Sequence, residues 1–92
     1  MDISIEYSQV ESKNDAYLAV KSAITPELLA RFQVKATIDY FDDYIMAKGK
    51  GFKLKMEFNT SSCDVYLDLA FLLKPLRAKI TDAIEKQIKR VV

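Results

Sequence analysis

The sequence predicts an α+β fold: a mainly antiparallel sheet of four to five strands, with a broken N-terminal helix and a long C-terminal helix packed on one face. Several short segments alternate apolar and polar residues, which is the period of a half-buried strand. Two longer segments repeat apolar residues every three or four positions, which is the period of an amphipathic helix. The chain has 92 residues and no linker, repeat or low-complexity stretch, so we expect a single domain over residues 1–92.

The N-terminal part is predicted to be a strand followed by a broken helix. Residues 2–7 alternate apolar and polar side chains, and a helical period extends over residues 11–32. Pro26 interrupts this helix because the proline ring clashes with the preceding turn. Thr25 is a favourable N-cap and Pro26 a favourable first helical residue, so the helix is expected to restart there.

Four more strands are predicted in the middle of the chain. The alternating segments cover residues 34–40, 44–48, 52–58 and 65–71. The connections between them are an Asp42-Asp43 turn, a bend at Gly49–Gly51 and a turn at Thr60–Ser62. Such short connections imply antiparallel neighbours. The alternation places Tyr40 on the inner face of the sheet.

The C-terminal segment is predicted to be a long helix that begins between Leu72 and Pro75, since a proline is tolerated only in the first turn. Its apolar stripe comprises Leu72, Leu73, Leu76, Ile80, Ala83, Ile84, Ile88 and Val91. This stripe and the inner faces of the strands predict the core. The residues that we expect to be buried there are Ile5, Ile38, Leu54, Met56, Leu67, Leu69, Leu76, Ile80 and Ile84.

The composition excludes much of the usual catalytic repertoire. The chain has no histidine and one cysteine, so it cannot form a Ser-His-Asp triad, a Cys-His pair or a zinc site of these ligands. That cysteine, Cys63, follows Ser61 and Ser62 in a predicted hairpin loop with no adjacent base. Gly49 and Gly51 lack the rest of a phosphate-binding signature. We therefore predict that the protein is not an enzyme and has no catalytic residue, cofactor or metal site.

The sequence also gives an expectation about location. Its first residues lack the basic and apolar regions of a signal peptide, and no apolar stretch approaches the ~20 residues that span a bilayer. A single cysteine argues against a disulfide-linked secreted scaffold. We expect a cytoplasmic protein with no transmembrane segment.

Basic residues are concentrated near the C-terminus. Residues 72–92 carry six basic and two acidic side chains, a net charge of +4, whereas residues 1–71 carry −3. This charge predicts a surface for an anionic partner, either RNA, a membrane or a phospholipid-coated granule. The candidate residues are Lys74, Arg77, Lys79, Lys86, Lys89 and Arg90. The alternative is a solvated helix face, in which Asp82–Lys86 and Glu85–Lys89 form i,i+4 pairs.

A second candidate surface lies on the outer face of the predicted sheet. Tyr66 and Ala70 on the last strand, with Ile45 and Ala47 beside them, would form a small apolar strip. Such a strip is suited to self-association, most simply as a homodimer. The alternative is a monomer whose antiparallel sheet has one solvated face.

A family resemblance is carried by the segment Leu69-Ala70-Phe71-Leu72-Leu73-Lys74-Pro75-Leu76-Arg77, followed by Ile80 and Ile84. It resembles the C-terminal strand-to-helix signature of small bacterial proteins named polyhydroxyalkanoic acid system proteins. The match is residue-specific over residues 65–84 and extends to the order of elements over nearly the full chain. The resemblance implies a non-enzymatic binding module at or near storage granules, with the granule or a granule protein as its partner.

Two other functions remain open. The element order is similar to that of ribosome-hibernation factors, which implies a module that binds RNA or ribosomes through the basic C-terminal helix. It also looks like a reduced helix-grip fold, in which a curved sheet and a long helix hold a small apolar ligand.

Overall fold

The computed structural model describes residues 3–92, which form a five-stranded antiparallel sheet packed against helices. In chain order the elements are β1 (Ile3–Glu6), α1 (Lys13–Ala23), α2 (Pro26–Ala30), β2 (Ala36–Tyr40), β3 (Tyr44–Gly49), β4 (Phe52–Phe58), β5 (Ser62–Leu69), a 3₁₀ turn (Phe71–Leu76) and α3 (Arg77–Val91). The predicted α+β class is confirmed. Residue 2, which the sequence assigns to the first strand, lies outside the described residues.

The strands lie in the order β1-β5-β4-β3-β2, and every neighbouring pair is antiparallel. Strands β2 to β5 follow one another as a meander, and β1 pairs with β5 at one edge. Met56 in the central strand lies opposite Ile45 and Val65, and all three are buried. The core therefore sits between this face of the sheet and the helices.

Burial alternates along the last strand as the sequence predicts. Leu67 and Leu69 are buried, and the residue between them is exposed. A shift of one residue would have reversed this pattern. Seven of the nine residues predicted for the core are buried. The other two, Ile38 and Leu76, are half-buried because they lie on the edge strand β2 and at the end of the 3₁₀ turn.

The first hairpin requires one correction. The sequence places Ile45 and Ala47 beside the outer apolar strip, but both are buried on the inner face, opposite buried residues of β4. Tyr40 lies on the inner face as predicted, opposite Ile45. It is nevertheless 45% exposed, because β2 is the edge strand. The Lys21 ammonium lies over its ring, 4.7 Å from the ring centre.

The broken N-terminal helix is confirmed, and the break lies where the sequence predicts it. The Thr25 hydroxyl oxygen accepts a hydrogen bond from the backbone N–H of Leu28 at 3.3 Å. Pro26 is the first residue of α2. The preceding helix is capped in the same way, by the Ser12 hydroxyl accepting from the Asp15 backbone N–H at 3.0 Å.

Helix α2 ends in a Schellman motif that turns the chain towards β2. The backbone N–H of Gln33 donates to Ala30 O at 2.9 Å, and that of Val34 donates to Leu29 O at 3.3 Å. Gln33 has a positive φ of 61°, a conformation usually adopted by glycine. The motif therefore places Arg31 and Phe32 at the end of the helix and the next residues beside the sheet.

The C-terminal helix begins later than the sequence predicts. Pro75 lies in the 3₁₀ turn, and regular α-helix begins at Arg77. Because a 3₁₀ turn has 3.0 residues per turn rather than 3.6, it rotates Leu72 out of the predicted apolar stripe. Leu72 is consequently 86% exposed. The buried residues of α3 are Ile80, Ile84 and Ile88.

The end of α3 is tied to the segment between β1 and α1. Val92 O accepts hydrogen bonds from the backbone N–H groups of Ser8, Gln9 and Val10 at 2.7, 2.6 and 3.2 Å. The Gln9 side-chain amide donates to Lys89 O at 3.0 Å. These bonds fix the position of α3 across the sheet.

Candidate functional site

Two strongly exposed apolar side chains lie where β5 leaves the sheet. Phe71 and Leu72 are 83% and 86% exposed, and we call this pair the apolar tip. Backbone hydrogen bonds hold the turn, from Ala70 N to Gly51 O at 2.8 Å and from Leu73 N to Ala70 O at 2.9 Å. Leu73 packs back against the core. The anchored turn therefore presents two large apolar side chains outwards.

A groove of about 500 Å³ lies beside the apolar tip. It is formed where the end of β5, the β3–β4 bend and the loop before β2 meet. The side chains that define its character are Val34, Lys35, Lys50, Ala70, Leu72 and Leu73. The groove extends the apolar surface of the tip to the neighbouring loops.

Two lysines, Lys35 and Lys50, line this groove, and a third, Lys74, follows the apolar tip in the 3₁₀ turn. All three are exposed, and none forms an ion pair with another residue of the described chain. The tip is therefore an apolar surface bordered by unpaired positive charge.

The six basic residues predicted as an anionic-partner surface do not form one face. Lys74 precedes α3 in the 3₁₀ turn and lines a surface groove together with Arg77. Arg77 donates from Nη1 to the backbone oxygen of Leu67 at 3.2 Å, which fixes the first turn of α3 to β5. These two residues are thus separated from the other four by their position and by their contacts.

The remaining basic residues are distributed around α3. Lys86 pairs with Asp82 at 3.0 Å, and Lys89 pairs with Glu85 at 2.8 Å, as the alternative interpretation predicts. Lys79, Lys86 and Arg90 are seven and four residues apart, so they share one flank of the helix. We call these three residues the basic flank.

The candidate self-association residues lie in different surroundings. Tyr66 is exposed on the outer sheet face, opposite Lys55. The Lys55 ammonium lies 5.8 Å from the ring centre of Tyr66 and 4.9 Å from the ring centre of Tyr44. Ala70 instead lies in the groove beside the apolar tip. Because Ile45 is buried, the outer strip is smaller than predicted. Homodimer formation through Tyr66 stays a prediction.

The sequence predicts that Cys63 lies in a hairpin loop, but the structure places it in β5 with its side chain buried. Burial, with a smaller contribution from the charge of Asp64, raises the pKa of the thiol to about 12. A thiol that stays protonated is a poor nucleophile. Tyr7 lies nearby, with its hydroxyl 2.7 Å from the backbone oxygens of Asn59 and Ser62. Burial raises the pKa of the Tyr7 hydroxyl to about 12, with a smaller contribution from the charge of Cys63.

These two pKa values predict that the protein loses stability at alkaline pH. The unfolded chain releases the Cys63 proton near pH 9 and the Tyr7 proton near pH 10, whereas the folded chain retains both to about 12. Since the unfolded state then binds fewer protons, the free energy of unfolding falls as pH rises through this range. Urea unfolding from pH 8 to pH 11 should show a shallower decline for Cys63→Ala and Tyr7→Phe than for wild type. Tyr66→Phe, on the exposed face, is the control, and equal slopes for all four proteins would contradict the assignment.

No group of three or more acidic or cysteine side chains in residues 3–92 is arranged to hold a metal ion. Within the same range, no helix has both the length and the apolar character needed to cross a membrane.

Comparison with known family models gives a match over most of the chain. The model of a family described as "Putative polyhydroxyalkanoic acid system protein" matches residues 3–92. Neither the curated proteins nor the solved structures contain a match to this chain. The residues of the apolar tip lie inside the matched range.

Proposed function

Because the chain belongs to the family of polyhydroxyalkanoic acid system proteins, we propose that it is a non-enzymatic association module that binds the surface of polyhydroxyalkanoate storage granules in the bacterial cytoplasm. The observation that carries this proposal is the apolar tip, where Phe71 and Leu72 are 83% and 86% exposed. An exposed apolar pair of this size is typical of a surface that contacts a partner.

The chemistry of the tip fits an aliphatic polyester. Its groove is lined mainly by apolar atoms, and Phe71 and Leu72 lose contact with water when they lie against an apolar polymer. Burial of one such side chain contributes ~1.5–3 kcal/mol. Two neighbouring side chains on an ordered turn can therefore supply most of a weak surface affinity without any conformational change.

The lysines around the tip fit the same partner. Carboxylate ends of polyester chains and anionic lipid headgroups both carry negative charge at neutral pH. Lys35, Lys50 and Lys74 would meet this charge while the tip contacts the polymer. The basic flank on α3 would add electrostatic attraction of longer range, which salt screens.

The alternatives have less support in the described residues. The RNA alternative depends on the basic C-terminal helix, but Lys86 and Lys89 of that helix are paired with acidic residues one turn away. The space between sheet and helices, where a helix-grip protein would hold a ligand, is filled by large buried side chains such as Phe58 and Ile84. Neither arrangement favours RNA or an internal ligand.

A pelleting assay with polyester particles tests the proposal. The purified protein should sediment with particles of poly(3-hydroxybutyrate) and stay bound as the salt concentration is raised, because apolar contacts are not weakened by salt. Ribosomes serve as the parallel pellet. Sedimentation with ribosomes that is lost at high salt, without binding to particles, would support the RNA alternative and overturn the granule proposal.

A further inference from the structure

A second groove lies between the end of α2 and one side of α3. Its volume is about 470 Å³, within the ~300–1,000 Å³ of small-molecule sites. The apolar residues that line it, which we call its floor, are Leu28, Phe32 and Ala83, and Gln87 also lines it. The basic residues of its rim are Arg31, Lys86 and Arg90. The two sets together give the groove one apolar side and one cationic side.

The fold brings the rim together from distant parts of the chain. Lys86 and Arg90 are four residues apart on α3 and so lie one turn from each other on the same side. Arg31 caps the C-terminal end of α2, and the Schellman motif at Gln33 turns the chain away directly after it. The sequence offers no sign that Arg31 joins the basic flank, because this contact depends on how α2 packs against α3.

The rim concentrates positive charge without compensation from the groove itself. None of the described residues that line it is acidic. Lys86 shares its charge with Asp82 at 3.0 Å, but within residues 3–92 neither Arg31 nor Arg90 forms an ion pair. A guanidinium group can donate two parallel hydrogen bonds to one carboxylate. Two such groups at one rim therefore favour a carboxylate ligand.

The floor determines what else the ligand contains. Leu28 is buried, and Phe32 and Ala83 are half-buried, so the floor offers carbon surface, and Gln87 adds an uncharged amide beside it. A free inorganic anion would leave this surface in contact with water. A ligand with an aliphatic chain attached to its carboxylate would cover it and gain from its burial.

We propose that this groove binds an alkyl carboxylate, with the carboxylate between Arg31 and Arg90 and the aliphatic chain over Leu28 and Phe32. The site is independent of the apolar tip, so it does not require that the protein binds granules. It differs from a helix-grip site in lying at the surface rather than inside the sheet.

Nuclear magnetic resonance titration of the full chain with monomeric sodium octanoate tests the proposal. Saturable shifts should appear in the backbone amides of residues 28–32 and 83–90. Acetate lacks the aliphatic chain and 1-octanol lacks the charge. Each should therefore bind at least about tenfold more weakly than octanoate. Equal binding of either compound, or shifts confined to the apolar tip, would overturn the proposal.

Matched variants then test the residues. Arg31→Gln/Arg90→Gln should weaken octanoate binding about tenfold or more, and its amide spectrum reports whether the fold is intact. Lys79→Gln is the control, since Lys79 lies on the basic flank but does not line the groove. Wild-type affinity in the double variant would reject the site. Unchanged octanoate binding by Phe71→Ser/Leu72→Ser, whose altered side chains do not line this groove, would separate this site from the granule proposal.

Discussion

The double substitution Phe71→Ser/Leu72→Ser should weaken binding to polyester particles about a hundredfold. Complete burial of a phenylalanine or leucine side chain contributes ~1.5–3 kcal/mol, and ~1.4 kcal/mol corresponds to a factor of ten in affinity. The two side chains together could supply ~3–6 kcal/mol, and partial burial at a flat surface brings the effect to the lower end of this range. The measurement is the fraction of protein that pellets at increasing particle concentration.

The same double variant should keep the stability of the wild type. Both side chains are more than four-fifths exposed, at 83% and 86%, so their removal leaves no cavity in the core. Surface substitutions of this kind usually change the free energy of unfolding by less than ~0.5 kcal/mol, which urea unfolding can check. Leu18→Ser is the matched control, because Leu18 on α1 is 52% exposed and lies outside the tip. Particle binding by the double variant at the wild-type level would remove the tip from the proposal.

The parts of the fold that follow from local rules could be predicted from the sequence. The break at Thr25 and Pro26 depends on one cap and one missing N–H, both of which are visible in the sequence. The inward direction of Leu67 and Leu69 depends on a clean alternation with polar neighbours. In these segments only one arrangement buries the apolar side chains.

The predictions fail where two arrangements bury similar amounts of apolar surface. In β3 both sets of alternating residues are largely apolar, since Tyr44 and Met46 alternate with Ile45 and Ala47. Only the pairing with β4 decides which set faces the helices. The segment before α3 presents the same ambiguity, because three leucines fit an α-helical stripe as well as a 3₁₀ turn.

The candidate sites depended on tertiary structure to a greater degree. Sequence analysis recognises Lys74 and Arg77 as members of one basic segment, but the 3₁₀ turn and a hydrogen bond to β5 give them different roles. Lys35 and Lys50 come together beside the tip only because the start of β2, the β3–β4 bend and the end of β5 meet there. The exposure of Phe71 has no signal in the local pattern, since an apolar residue next to a strand is usually buried.

Gly49→Ala should destabilise the fold by about 3 kcal/mol, the largest effect that we expect from the addition of one methyl group. A Cβ atom at this position would overlap the backbone oxygen of Lys35 and lie 3.5 Å from Cγ1 of Val34. Inserting carbon into a packed site costs ~1–3 kcal/mol, and the cost should be near the upper limit because a backbone atom cannot move away by changing rotamer. The intrinsic advantage of alanine over glycine in a strand, ~0.5–1 kcal/mol, offsets only part of it.

The measurement is the urea midpoint of Gly49→Ala beside that of Lys48→Ala, an exposed neighbour whose substitution should change stability by less than ~0.5 kcal/mol. A wild-type midpoint for Gly49→Ala would contradict the prediction, because it would mean that the backbone before β2 shifts at little cost in free energy. The same close approach connects stability with the proposed function, because Val34 and Lys35 line the groove beside the apolar tip. Where Gly49→Ala remains folded, the displaced segment should therefore also weaken particle binding, whereas Lys48→Ala should not.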